Sequence, residues 1–223
     1  MMLYWIALVL AVLLGLLHSR RPQALMLWDL RLVWLLPAGL LVGLIPFWLS
    51  TYRPDLIWTP GRQGLMAMQA IARGLILLFA TVNFLFKLQT ADWTRRARPA
   101  TLTRLTGLLL AMIGLAGQIT VLLTNQGYWP LSVRYLEFID DPLLVEGIRN
   151  GALRLSRLID DETRWAFLGQ VIPFPSFNPL SPAKYQMVSV TDILLAAGLF
   201  LTVLSLFNRT QLITGQKIRR VTT

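Results

Sequence analysis

The fold of this chain is decided by LTGLLLAMIGLAGQITVLL, residues 105–123, and VTDILLAAGLFLTVLSLF, residues 190–207. A helix needs about 20 predominantly apolar residues to cross a bilayer, and both stretches approach that length. They flank Asn125–Ser189, a long segment rich in polar residues. The sequence therefore predicts two membrane-spanning helices joined by a sizeable segment outside the bilayer.

Three more apolar runs precede this pair, at residues 1–17, 32–49 and 65–86. The 223 residues are 55% hydrophobic, with a mean hydropathy of +0.58, which exceeds that of ordinary soluble domains. A segment in lipid must pair its own backbone polar groups, which favours helices. We therefore expect an all-α fold, a single integral membrane domain over residues 1–223 with five transmembrane helices.

The distribution of charge predicts the orientation. Residues 18–31, 87–104 and 208–223 hold twelve Lys and Arg residues and two acids, whereas 50–64 and 125–189 hold eight basic and eight acidic residues. Short cytoplasmic loops are enriched in Lys and Arg. We expect the N-terminus outside and the C-terminus in the cytoplasm, as in a protein of the bacterial inner membrane. Topology then explains the net charge of +10 without nucleic acid as a partner.

Residues 125–189, which we call the outer segment, contain one helical pattern. Asp141-Pro142 is typical of a helix start. Apolar residues then recur at helical spacing, which predicts an amphipathic helix of about five turns: Leu144, Ile148, Ala152, Leu155 and Ile159. Such a helix lies on the outer membrane surface or caps the bundle, and the sequence leaves both open. The four prolines within Gly169–Tyr185 favour extended chain.

Tryptophans fall near most of the predicted helix ends, as in the aromatic belt of membrane proteins. They are Trp28, Trp48, Trp58, Trp93, Trp129 and Trp165. We expect their rings at the level of the lipid headgroups. This is a structural interpretation that requires no cofactor.

Small residues predict close helix packing. Gly39 and Gly43 form a G-x-x-x-G face, and Gly107, Gly114 and Gly117 recur in a later run. Such faces let another helix backbone approach closely. The approaching helix belongs either to this chain or to a partner subunit.

Among the polar residues inside predicted membrane helices, three in the outer halves form the candidate cluster: Arg73, Gln118 and Asp192. A charge in the bilayer is costly, so we expect Arg73 and Asp192 to pair, with Gln118 nearby. The functional interpretation is a site for a headgroup, a quinone or a transported solute. The structural interpretation is a pair that fixes helix order.

Catalytic and metal-binding chemistry is scarce. His18 is the single histidine and there is no cysteine, so bis-histidine haem and thiolate sites are excluded. The acidic runs Asp140-Asp141 and Asp160-Asp161-Glu162 are explained by helix capping and solvation. No catalytic or nucleotide-binding motif is present. We expect no catalytic residues, no metal, no tightly bound cofactor and no enzyme activity.

The region around the outer segment resembles an uncharacterised bacterial family of small multi-pass membrane proteins, a domain of unknown function. The resemblance covers about Leu105–Phe207 and is carried by Asn125–Ser132 (NQGYWPLS), Trp165–Pro173 (WAFLGQVIP) and Ser189–Asp192 (SVTD). This chain has Gln170 where the family pattern has an acid, and Thr191 where it has glycine. The resemblance implies the helical layout and no activity.

These observations favour a non-catalytic integral subunit in or around a larger membrane complex. Its partners would be the bilayer and other membrane subunits, with an energy-transducing electron-transfer complex the first candidate. The alternatives are a small transporter or lipid- or quinone-binding protein, and a membrane enzyme with an unrecognised site.

Overall fold

Long helices make up most of the chain in the computed structural model, which describes residues 2–19, 31–32, 34–52, 61–91, 98–140, 142–149, 156–176 and 185–221. Within these ranges the helices are α1 (Met2–Ser19), α2 (Leu35–Tyr52), α3 (Gly61–Gln89), α4 (Arg98–Thr124), α5 (Pro142–Arg149) and α6 (Val190–Val221). Each of the five apolar runs coincides with one of the long helices. Helices α3, α4 and α6 extend beyond their runs at one or both ends.

Three helices of the described chain are long and apolar enough to cross a membrane. The stretches are Met66–Gln89 in α3, Pro99–Thr124 in α4 and Val190–Phe207 in α6. Two shorter apolar stretches are Ile6–Gly15 in α1 and Leu35–Ile45 in α2. The protein is a mostly helical membrane protein, as its composition predicts, and the count of five crossings stays a prediction.

The outer segment departs from the all-α prediction, because it contains two small sheets. Strand β1 (Trp129–Leu131) pairs in parallel with β2 (Ser156–Leu158), and β3 (Ile172–Pro175) pairs antiparallel with β4 (Tyr185–Val188). Strands of three or four residues are too short to show an alternating pattern in sequence. The extended chain predicted from the prolines is present in β3, while residues 177–184 lie outside the described ranges.

The five-turn amphipathic helix is wrong in length. Helix α5 spans eight residues, Pro142–Arg149, and the sequence is already a strand at Ser156–Leu158. The dipeptide Asn150-Gly151 follows directly after Arg149, and such pairs favour turns over continued helix. The last residue of the apolar spacing, Ile159, donates its backbone N–H to the carbonyl of Leu131 in β1 and is not helical.

A tight turn ends α4 and begins the outer segment. Gly127 has φ +79°, and its backbone N–H donates to the carbonyl of Leu122 at 2.7 Å. A Cβ at Gly127 would lie 2.1 Å from Cγ of Met66 in α3. The left-handed backbone and the close contact both require glycine here.

Contacts divide the chain into two compact units, and the division falls inside the helices. The first comprises Met1–Leu35, Leu77–Gly114 and Leu194–Thr223, and the second Leu36–Ile76 and Leu115–Ile193. The first has an apolar cluster of Ala11, Val203 and Phe207. The second has one of Val121, Leu122 and Trp129, and it contains all of the candidate site described next.

Candidate functional site

Arg73 is the centre of a polar network within the second unit. It lies on α3, half-buried, and its Nη1 donates to the carbonyl of Gln69 one turn earlier, at 3.0 Å. Its Nε donates to Oε1 of Gln118 on α4 at 3.2 Å. Arg73 therefore joins α3 to α4 through its guanidinium. A guanidinium remains protonated in proteins, so the positive charge stays at this position.

Gln118 links Arg73 to Asp192. The side chain is only 3% exposed, and its Nε2 donates to Oδ1 of Asp192 at 2.9 Å. An amide has one accepting and one donating end, so only one orientation serves both a guanidinium and a carboxylate. The three polar residues singled out in the sequence thus lie in one hydrogen-bonded chain across α3, α4 and α6. We call Arg73, Gln118, Asp192 and Ser189 the polar network.

Asp192 also caps its own helix. Its Oδ2 accepts from the backbone N–H of Ser189 at 2.9 Å, while Oγ of Ser189 accepts from the backbone N–H of Asp192 at 3.0 Å. This reciprocal pairing is a capping box, and a carboxylate is stabilised near a helix N-terminus. Ser189 is fully buried, and its hydroxyl lies 2.7 Å from that of Thr191. The Ser-x-x-Asp spacing that forms this cap is visible in the sequence and was the signal that could have predicted it.

Trp129 of β1 covers the guanidinium of Arg73. The carbon Cζ of Arg73 lies 4.9 Å from the centroid of the indole ring, which is 8% exposed. A cation over an aromatic face gains about 0.5–2 kcal/mol. The prediction that Trp129 belongs to the aromatic belt is therefore wrong, because the ring packs inside the protein. Trp165 is half exposed, and the side chains of the other four tryptophans lie outside the described residues.

Gln69 is a further residue of this site, like Ser189 and Trp129, that the sequence did not lead us to assign to it. It is 5% exposed, and its Oε1 has no hydrogen-bond partner among the described residues. A buried acceptor without a donor costs about 1–3 kcal/mol. The spacing of four residues to Arg73 placed it on the same helix face and was the available signal.

The glycines lie at close helix contacts inside the chain. A Cβ on Gly39 would lie 2.7 Å from Cγ1 of Ile76 on α3, whereas one on Gly43 would lie 3.5 Å from Cβ of Ala72. In the first unit, a Cβ on Gly107 would meet the backbone of α6 at 2.7 Å, and Gly114 is buried. In the second unit, a Cβ on Gly117 would lie 2.6 Å from Cγ2 of Thr191.

The remaining candidates from the sequence are His18 and the two acidic runs. Within the described chain there is no group of three His, Cys, Asp or Glu residues placed to hold a metal ion. The carboxylate of Asp160 accepts from the Thr163 hydroxyl at 2.7 Å and pairs with Arg157 at 2.6 Å. These contacts, the Thr163 hydrogen bond first, lower the pKa of Asp160. The His18 and Asp141 side chains lie outside the described residues.

As a chemical arrangement, the polar network links α3, α4 and α6 through hydrogen bonds to two charged groups. It contains no histidine or cysteine. Beside the network, Gln69 has a buried acceptor without a donor among the described residues.

Comparison with known proteins identifies a family. The profile described as "Family of unknown function (DUF5317)" matches residues 27–204. The match reaches well before Leu105, so it also covers α2 and α3, which the sequence resemblance did not include. No curated protein and no solved structure matches the chain. Because the match covers most of its length, the chain belongs to this family of unknown function, DUF5317.

Proposed function

We propose that this protein is a non-catalytic integral subunit that packs in or around a larger complex of the bacterial inner membrane. The observation that supports the proposal is that the polar network is hydrogen-bonded within this chain. Both ends of the Gln118 amide and both carboxylate oxygens of Asp192 bond to groups of the same chain. Buried polar groups that are hydrogen-bonded to one another fix helix positions, which is a structural role.

The proposed topology has five crossings. Helices α1 and α2 are 18 residues each, about 27 Å at 1.5 Å per residue, close to the ~30 Å hydrocarbon core. With the N-terminus outside, the outer segment is extracytoplasmic and the basic C-terminal end of α6 is cytoplasmic.

Exposed apolar surface supports a partner as well as lipid. Leu40 and Leu41 of α2 are 59% and 64% exposed, although α2 packs on α3 through Gly39. A helix held on one side by a glycine contact presents its other side to lipid or to a neighbouring subunit. An energy-transducing electron-transfer complex is our first candidate for that assembly.

Purification in mild detergent with mass spectrometry of co-purifying chains tests the proposal. We expect other membrane subunits at constant stoichiometry after crosslinking and size separation. The experiment is done at native expression levels and after crosslinking in the membrane. Recovery of the 25.2 kDa chain alone would then contradict the proposal.

One observation favours a second candidate, a lipid- or quinone-binding protein or small transporter. The unmet acceptor of Gln69 lies one helical turn from Arg73, and a ligand hydroxyl would satisfy it. Lipids and quinones extracted from purified protein would be compared between wild type, Gln69→Leu and Gln89→Leu, since Gln89 is exposed on the same helix. A molecule lost only from Gln69→Leu would support this candidate, and equal extracts would exclude it.

A further inference from the structure

Two aromatic side chains of the outer segment are exposed side by side. Trp165 is 50% exposed and Phe167 is 62% exposed, with ring centroids 5.9 Å apart in an edge-to-face arrangement. Trp165 has φ +54°, a left-handed conformation that is unusual for a large side chain. A bulky residue keeps such a conformation only where the surrounding structure imposes it.

Both ends of this short loop are fixed. The side chain of Asn125 accepts from the backbone N–H of Arg164 and donates to its carbonyl, both at 2.9 Å. At the other end, the backbone N–H of Gln170 donates to the carbonyl of Pro130 at 2.7 Å. A Cβ on Gly169 would lie 2.7 Å from that same carbonyl oxygen, so the backbones are in direct contact. The loop is therefore a rigid projection and not a free tether.

The two hydrogen bonds between Asn125 and Arg164 also fix the position of the loop along the membrane normal. Asn125 directly follows Thr124, the last residue of α4 and of its candidate membrane span. The backbone of Arg164 is hydrogen-bonded to that position, so Trp165 and Phe167 begin at the level where α4 leaves the bilayer. Tryptophan is enriched at this level because its ring is apolar and its N–H stays hydrated.

The charge next to the aromatic pair fits a lipid surface. Arg164 is exposed, and its guanidinium makes no hydrogen bond or ion pair with the described residues. An arginine beside exposed aromatic rings suits a headgroup phosphate above the acyl boundary. A water-exposed loop would gain nothing from two large apolar side chains.

We propose that residues 164–167 are an interfacial anchor that binds the outer leaflet of the membrane crossed by α4. Arg164 contacts lipid phosphate, while Trp165 and Phe167 enter the boundary between headgroups and acyl chains. The anchor holds the outer segment against the bilayer whether or not the protein is a subunit of a complex.

The chain has no cysteine, so single-cysteine labelling tests the anchor directly. Phe167→Cys would carry a nitroxide spin label in phosphatidylglycerol/phosphatidylethanolamine vesicles, with collisions measured against oxygen and a water-soluble nickel chelate. Glu162→Cys is the hydrated control, because its side chain is 83% exposed five residues away. Leu143→Cys is the apolar control, since Leu143 is 80% exposed on α5 and belongs to no part of the proposed anchor.

We expect oxygen to dominate at position 167 and the nickel chelate to dominate at both controls. Nickel collisions at 167 equal to those at 162 would overturn the anchor, because the loop would then face water. Protection of 167 from both reagents would also overturn it, since a protein partner would then cover the loop. Adding Arg164→Gln should reduce the oxygen preference in phosphatidylglycerol and in phosphatidylcholine vesicles, because both lipids carry a headgroup phosphate. An oxygen preference that Arg164→Gln leaves unchanged in both lipids would contradict the phosphate contact.

Discussion

The amide of Gln118 donates a hydrogen bond to the carboxylate of Asp192 at 2.9 Å, across 74 residues of sequence. The same amide accepts from Arg73. One neutral side chain thus connects the two charges that the sequence places in membrane helices.

Replacing Gln118 with leucine should destabilise the protein by about 2–4 kcal/mol, because two charged groups each lose a hydrogen bond in a buried site. Thermal unfolding in detergent measures the effect. Thr120→Val on the same helix is the control, since Thr120 is exposed and bonds only to its own helix, and we expect a change within about 0.5 kcal/mol. If Gln118→Leu unfolds at the same temperature as the wild type, the hydrogen bonds of Gln118 do not contribute to stability.

Arg73 and Asp192 should be energetically coupled through Gln118. Arg73→Leu leaves a carboxylate without its cationic neighbour, which in buried pairs costs about 3–5 kcal/mol. Asp192→Asn should be milder than Asp192→Leu, because an asparagine oxygen can still accept from Ser189 and keep the cap. The double variant Arg73→Leu/Asp192→Asn should be more stable than the summed losses predict. Strictly additive losses in a thermal unfolding cycle would show that the two residues do not communicate.

The two glycines of the α2 face should respond differently to alanine. Gly39→Ala places a methyl group 2.7 Å from Ile76 and should destabilise the helix pair by about 1–3 kcal/mol. Gly43→Ala places it 3.5 Å from Ala72, an ordinary contact, and should be neutral or slightly stabilising through helix propensity. Both variants are measured by thermal unfolding, and Gly43→Ala serves as the matched control for Gly39→Ala. Equal effects of the two substitutions would contradict the packing described here.

The orientation is testable with reporter fusions. A phosphatase that is active only outside the cytoplasm should work after Ser132, whereas a fluorescent protein that folds only in the cytoplasm should work after Thr223. The reciprocal fusions serve as controls for expression. A cytoplasmic signal from position 132 would reverse the proposed topology.

Asp160 should make the outer segment sensitive to acid. Its pKa is lowered in the folded state, so its stabilising contribution is present above its unfolded value of about 3.9 and is lost as pH falls through the folded pKa. The effect should be small because the group is exposed to solvent. Thr163→Val removes the largest cause and should move the acid unfolding midpoint of the outer segment upward. An unchanged midpoint would mean that the hydrogen bond does not influence folding.

The helices and the network residues were predictable because both follow from local physics. Apolar runs of bilayer length identify helices whatever the partners, and Arg73 and Asp192 stand out because a lone charge in lipid is costly. The sequence predicted Gln118 near Arg73 and Asp192, whereas its role as the hydrogen-bonded link between them is seen only in the structure.

The contacts made by the outer segment were not predictable in the same way. Trp129 was assigned to the membrane interface because it follows a helix end, but the ring packs on Arg73, 56 residues earlier in the chain. The pairing of β1 with β2 likewise joins residues 129–131 to 156–158, too short for a pattern. The length of the amphipathic helix was overestimated because the apolar spacing was followed as far as Ile159, whereas Ser156–Leu158 form a strand.

The capping box at the start of α6 has a consequence for biogenesis. Ser189 and Asp192 are three residues apart and leave the ribosome together, so their two mutual hydrogen bonds form without any other helix. We expect this local pair to form before Asp192 meets Gln118 on α4, because that contact joins residues 74 positions apart in the sequence.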